Sequence, residues 1–107
     1  MRILFVCTVN KYRSKTAEKV FGDYEQYETK SAGIDKEAVV QLNQELLDWA
    51  DLIVVMEKRH RNWLGKKFRE AYKTKPVKCL EIPDEYDYMQ PELVSELKQK
   101  MSKYIKV

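Results

Sequence analysis

The apolar positions of this chain fall into short dense runs separated by longer mixed segments. The first run, Arg2-Ile3-Leu4-Phe5-Val6, is β-branched and aromatic and predicts a short buried strand over residues 2–6. Between residues 14 and 26, Ala17, Val20, Phe21 and Tyr24 recur at helical spacing, with Ser14 as the predicted cap. Residues 28–32 read as a second strand, stopped by Gly33. Asp35 is placed to cap a second helix reaching Trp49, with Val39, Leu42, Leu46 and Trp49 as its apolar stripe. The continuous run DLIVVM, residues 51–56, predicts a strand covered on both faces. A basic amphipathic helix follows over 58–72, and a fourth strand over 76–82. After the loop PDEYDYMQ, Pro91 suits the first turn of a last helix ending near Tyr104.

Strands alternating with helices imply a parallel sheet, right-handed crossovers and helices on both faces. Ligands of such sheets bind beyond the carboxyl ends of the strands. Cys7 stands at that end of the first strand, and the loop over 83–90 leaves that end of the fourth. The topology therefore brings both segments to one edge.

Composition narrows the picture. A chain of 107 residues with 44% hydrophobic residues suits one compact domain. The net charge of +3 is mild, so nucleic acid is not an expected partner, although a local anion site fits. The absence of a long apolar run and of a signal-peptide core predicts a cytoplasmic protein with no membrane partner. Cys7 and Cys79 are then expected as thiols, with Cys79 in the core. His60, the only histidine, reads as a surface or capping residue.

The opening stretch FVCTVNKYRSKTAE, residues 5–18, carries the candidate chemistry. A five-residue loop, Thr8, Val9, Asn10, Lys11 and Tyr12, is bracketed by Cys7 and Arg13. Consecutive amides of such a loop can converge into an anion nest, and the following helix adds its positive end. Both favour a thiolate at Cys7, which makes it a nucleophile. Arg13 offers a planar fork that matches two phosphoryl oxygens. Ser14 can donate to the sulfur, and Asn10 tolerates the left-handed backbone that a tight nest needs. Lys11, beside the nest, can screen a bound phosphate. A leaving oxygen needs a proton donor. Among Asp84, Glu85 and Asp87, Asp84 follows Ile82-Pro83 at the strand exit and is the preferred acid. Tyr86 and Tyr88 are candidates to flank an aromatic substrate.

These residues resemble the phosphate-binding loop of the low-molecular-weight protein tyrosine phosphatases, with its C-x5-R-S pattern. The likeness continues through KSAGI (30–34), ADLIVVMEKRH (50–60) and IPDEYDY (82–88), and suggests a short bacterial branch. The resemblance implies a single α/β domain over 1–107. Its sheet would have four parallel strands in the order 2-1-3-4, the flavodoxin-like fold of phosphotyrosine protein phosphatase I. It implies Cys7 as nucleophile, Arg13 as phosphate ligand, Ser14 as activator of the sulfur and Asp84 as general acid. The implied reaction is hydrolysis of phosphotyrosine, or of a small aryl phosphate, through a phosphocysteine, without metal or other cofactor. Inorganic phosphate or sulfate would occupy the loop, and a monomer is expected.

The chain departs from the pattern in four places. Val9 stands where the family usually has Gly, Tyr12 where a second Cys is frequent, and Glu85 where Pro follows the acid. The region after Gly33 is shortened, which predicts a shallow, open cleft. Two other readings remain open: a thiol enzyme like arsenate reductase, and a phosphate- or phosphoprotein-binding module with little turnover.

Overall fold

The computed structural model describes all of residues 1–107. Its elements are β1 (Arg2–Cys7), α1 (Arg13–Gly22), β2 (Glu28–Gly33), α2 (Gln44–Trp49), β3 (Leu52–Val55), α3 (Lys58–Lys67), α4 (Arg69–Thr74), β4 (Val77–Cys79) and α5 (Pro91–Met101). All pairings are parallel and the order is β2-β1-β3-β4, as expected. β1 is central, paired from Arg2↔Glu28 to Cys7↔Gly33 on one side and from Ile3↔Leu52 to Val6↔Val55 on the other.

Alternation along β1 sends its side chains to two separate cores. Ile3, Phe5 and Cys7 join Ala17, Val20 and Phe21 of α1 and Leu93, Leu97 and Met101 of α5. Leu4 and Val6 join Leu47 of α2, Leu64 of α3 and Ala71 of α4. The Phe5 and Phe21 rings stack with centroids 5.6 Å apart, tying α1 to β1 directly behind Cys7. Burying each such large apolar side chain contributes about 1.5–3 kcal/mol. The nucleophile's strand is thus clamped on both faces.

Several predicted elements are corrected. Residues 35–43 form no helix, and α2 begins only at Gln44, capped by Asn43, whose Oδ1 accepts from the Leu46 amide (2.9 Å). Asp35 instead accepts from the Glu37 amide (2.8 Å), a local turn that competes with helix initiation. Val39 and Val40 are exposed rather than part of an inward stripe. The predicted basic helix breaks at Phe68, where ψ is 65°. Phe68 there packs beside Trp63 on the second core, and Lys66 and Lys67 suit a helix end. β4 stops at Cys79, yet Leu80 and Ile82 still donate to Val55 and Met56 (3.0 and 2.8 Å) across a left-handed kink at Glu81. Ser14 is not the cap of α1, since Tyr12 holds that position.

Gly33 is where β2 meets the loop after β1. A Cβ there would collide with the Thr8 carbonyl oxygen and lie 3.0 Å from the Asn10 nitrogen. Both neighbours are backbone and cannot swing away. Gly33→Ala is expected to cost about 1–2 kcal/mol, read as a drop of several degrees in Tm. An unchanged melting curve would mean that this approach is loose.

Candidate active site

The chain leaves β1 at Cys7 and turns through Thr8–Tyr12 into α1. The carbonyls of Cys7, Thr8 and Val9 accept from the amides of Ile34, Asp35 and Val39 at 3.1, 3.0 and 3.1 Å. A trans peptide points its N–H away from its C=O. With those carbonyls turned outward, the amides of Thr8, Val9 and Asn10 point into the loop. None of the amides from Thr8 to Tyr12 donates to a protein acceptor. The loop is therefore a cradle of unspent donors.

Asn10 holds the loop's shape. It is fully buried with φ at 58°, the left-handed conformation expected of it. Its Oδ1 accepts from the Val40 amide (3.2 Å) and its Nδ2 donates to Ser14 Oγ (2.8 Å). Ser14 Oγ already accepts there, so its own hydrogen is free to point at Cys7 Sγ, 3.0 Å away. A donor on the sulfur is what a thiolate needs. Val9 keeps a negative φ, so the β-branched residue fits without backbone strain.

Arg13 is 1% exposed and held by one end of its guanidinium. Nη1 donates to Glu57 Oε2 (2.5 Å) and to the Ile82 carbonyl (2.8 Å). That leaves the Nε–Nη2 edge, the geometry for two oxygens of one anion. Nη2 lies 3.4 Å from Thr8 Oγ1, and Nε lies 3.8 Å from Asp84 Oδ1. The fold thus brings Cys7, Asn10, Arg13, Ser14 and Asp84 together, with the Asp84 side chain 53% exposed. Lys11, Tyr12 and Tyr88 are exposed, while Tyr86 is half-buried against the Phe5 core.

Three residues outside the predicted site complete it. Glu57 lies two residues past the end of β3 and anchors Arg13. Burial pushes its carboxyl up, but the hydrogen bonds and charges of Arg59 and Arg13 outweigh this and hold it down at about 2. His60 is fully buried, not on the surface, and caps α3 by accepting the Glu57 amide on Nδ1 (3.0 Å). Its proton then sits on Nε2, which donates to Thr8 Oγ1 at 2.9 Å. Burial first, then the charges of Arg13 and Arg59, push His60 down from 6.5 to about 4, against an opposing pull from Glu57. A single acid after DLIVVM is the available sequence signal for Glu57; His60 offers only its capping position, and Arg59 offers none.

The His60 shift has a consequence for stability. A base whose folded value is depressed stabilises the fold fully above its unfolded value. That contribution is present above pH 6.5 and is lost as pH falls toward about 4. Tm should therefore decline over this window, and His60→Gln should flatten the decline. Parallel Tm–pH curves for the two proteins would contradict this assignment.

No group of three His, Cys, Asp or Glu side chains is placed to hold a metal ion, and no helix is long and apolar enough to cross a membrane. No family profile and no curated protein sequence matches the chain. Solved structures do. The arginine phosphatase YwlE from Geobacillus stearothermophilus superposes with TM-score 0.73 at 22% identity, over 99% of this chain and 98% of its own. The low molecular weight protein tyrosine phosphatase from T. tengcongensis gives 0.77 at 22% identity, over 96% of each chain. Vibrio vulnificus Wzb, solved with benzylphosphonate, gives 0.73 at 26% identity, over 95% of this chain and 92% of its own. From β1 to α5 the chain has the fold of the low-molecular-weight protein tyrosine phosphatases.

Proposed function

We propose that this protein is a cysteine-dependent phosphatase that hydrolyses phosphomonoesters, with aryl phosphates and phosphotyrosine as its substrate class. One observation carries the reading. The amides of Thr8–Tyr12 donate to no protein acceptor, Arg13 is anchored through Nη1 with its Nε–Nη2 edge beside Thr8 and Asp84, and Cys7 Sγ lies 3.0 Å from the Ser14 hydroxyl. Such an array matches a tetrahedral dianion in charge and in donor geometry. The fold likeness to phosphatases, one of them holding benzylphosphonate, supports the same substrate class.

In the first step Cys7 Sγ attacks phosphorus in line while the ester P–O bond breaks. Asp84 gives its proton to the departing oxygen. The three equatorial oxygens carry charge that the loop amides and Arg13 stabilise without rearranging. In the second step Asp84, now a carboxylate, takes a proton from water. The water oxygen attacks phosphorus, the S–P bond breaks, and Ser14 stabilises the departing thiolate. Phosphate leaves and the starting protonation states return. The exposed position of Asp84 suits exchange of leaving group for water.

A relay of protein thiols does not fit this geometry. Cys79 lies two strand spacings from β1, roughly 10 Å, beyond disulfide reach. It also packs with the second core, whereas Cys7 belongs to the first.

Steady-state hydrolysis of p-nitrophenyl phosphate, of a phosphotyrosine peptide and of a phosphoserine peptide tests the proposal. The aryl esters should turn over with a bell-shaped pH profile. Asp84→Asn should lower kcat about 100-fold on the phosphotyrosine peptide while phosphate still binds competitively. Absence of phosphate release from every aryl ester would leave only a binding module.

A further inference from the structure

A second guanidinium stands over the loop and takes no part in the chemistry above. Arg59 Nε donates to Glu57 Oε1 (3.2 Å). Its Nη2 donates to Glu57 Oε2 (3.1 Å) and to Thr8 Oγ1 (2.7 Å). Three bonds fix one edge, and Nη1 donates to no protein atom. The side chain is nevertheless 55% exposed. Arg59 is therefore held still with two N–H groups free, much as Arg13 is held by one end beneath it.

The charges point the same way. Glu57 faces both Arg13 and Arg59, Asp84 lies 3.8 Å from Arg13 alone, and the neighbouring His60 is neutral. Arg59 therefore shares its only paired carboxylate with a second guanidinium. A groove of about 330 Å³ runs beside it, lined by Glu57, Lys58, Arg59, Glu81, Ile82 and Pro83. It joins the site at Glu57 and Ile82, both of which hold Arg13. Within the groove, Lys58 is paired with Glu81 at 3.4 Å. Arg59 is the groove cation that three hydrogen bonds hold in place while one of its nitrogens stays unengaged.

We propose that Arg59 is a specificity-determining residue: it receives the carboxylate of an acidic residue adjacent to the phosphorylated one, on a peptide lying in this groove. A guanidinium already immobilised by the protein loses little freedom when it binds. A partly exposed cation also steers an acidic peptide toward the loop. The proposal rests on the phosphatase reading only in taking the loop as the phosphoryl site.

The experiment uses two phosphotyrosine peptides that carry Glu or Gln beside the phosphotyrosine. kcat/KM is measured for the unaltered chain, for Arg59→Gln and for Arg59→Lys. The same pair is titrated by fluorescence anisotropy against Cys7→Ser and against Cys7→Ser with Arg59→Gln, which needs no turnover. The unaltered chain should favour the Glu peptide about five- to tenfold, the size of one charge-assisted contact. Arg59→Gln should bring the ratio near one in both measurements, with Arg59→Lys between. General damage to the loop would lower both peptides together and leave the ratio. Equal treatment of the peptides by the unaltered chain, a ratio that survives Arg59→Gln, or no binding of either peptide overturns the proposal. A Glu preference in binding, with no phosphate release from any aryl ester, would sink the phosphatase reading and leave Arg59 as the selector.

Discussion

Cys7→Ser should abolish phosphate release, by at least about 10⁴-fold, while phosphate or vanadate still binds the loop. The substitution changes one atom in a buried position at the end of β1, so the cradle should persist. The amides of Thr8–Tyr12, the Arg13 edge and the Asn10–Ser14 bond do not depend on the sulfur. What is lost is the nucleophile, because a serine hydroxyl ionises far less readily than a thiol in the same donor field. A phosphate-release assay beside an equilibrium titration with vanadate separates the two functions. Residual turnover within tenfold of the parent would mean that sulfur is not the attacking atom.

Glu57→Ala should unfold the site rather than disarm it. Arg13 is buried, and its Nη1 would keep only the Ile82 carbonyl. Leaving a buried guanidinium without its carboxylate costs about 3 kcal/mol. For a chain of this size that corresponds to a fall in Tm of roughly 15 °C. Arg59 would lose its anchor as well, and His60 would cap α3 without the reciprocal carboxylate. The pH dependence has a defined sign. A carboxylate held down from 4.5 to about 2 stabilises the fold fully above pH 4.5 and ceases to as pH falls through about 2. The gap in Tm between the parent and Glu57→Ala should thus close on acidification across that range. Calorimetry that finds equal melting at pH 7 would refute the anchoring role.

Much of the architecture was legible because β1 and β3 are dense apolar runs, a local signal that survives without context. The order of strands and helices then placed Cys7 and the segment around Asp84 at one edge. The cradle was legible too, since Cys7, Asn10, Arg13 and Ser14 lie close in sequence and their spacing carries the geometry. Residues 35–43 were misread because Val39 and Leu42 mimic a helical stripe. In the fold, that segment's main chain is committed to the loop after β1. The sequence puts His60 on the surface or at a helix cap; it does cap α3, but its burial leaves no sequence signal, because a polar residue on a basic helix reads as solvated until Thr8 and Glu57 surround it. Arg59 was indistinguishable from its basic neighbours for the same reason. Contacts across more than forty positions leave no trace in periodicity.

The segment from Ile34 to Val40 grips the loop through its own main-chain N–H groups alone. Its side chains are consequently under little selection for that task, and any residue except proline can supply the bond. A scaffold wired this way lets its wording drift while its shape stays put. Residue type can therefore change at these positions while the backbone bonds that shape the cradle persist.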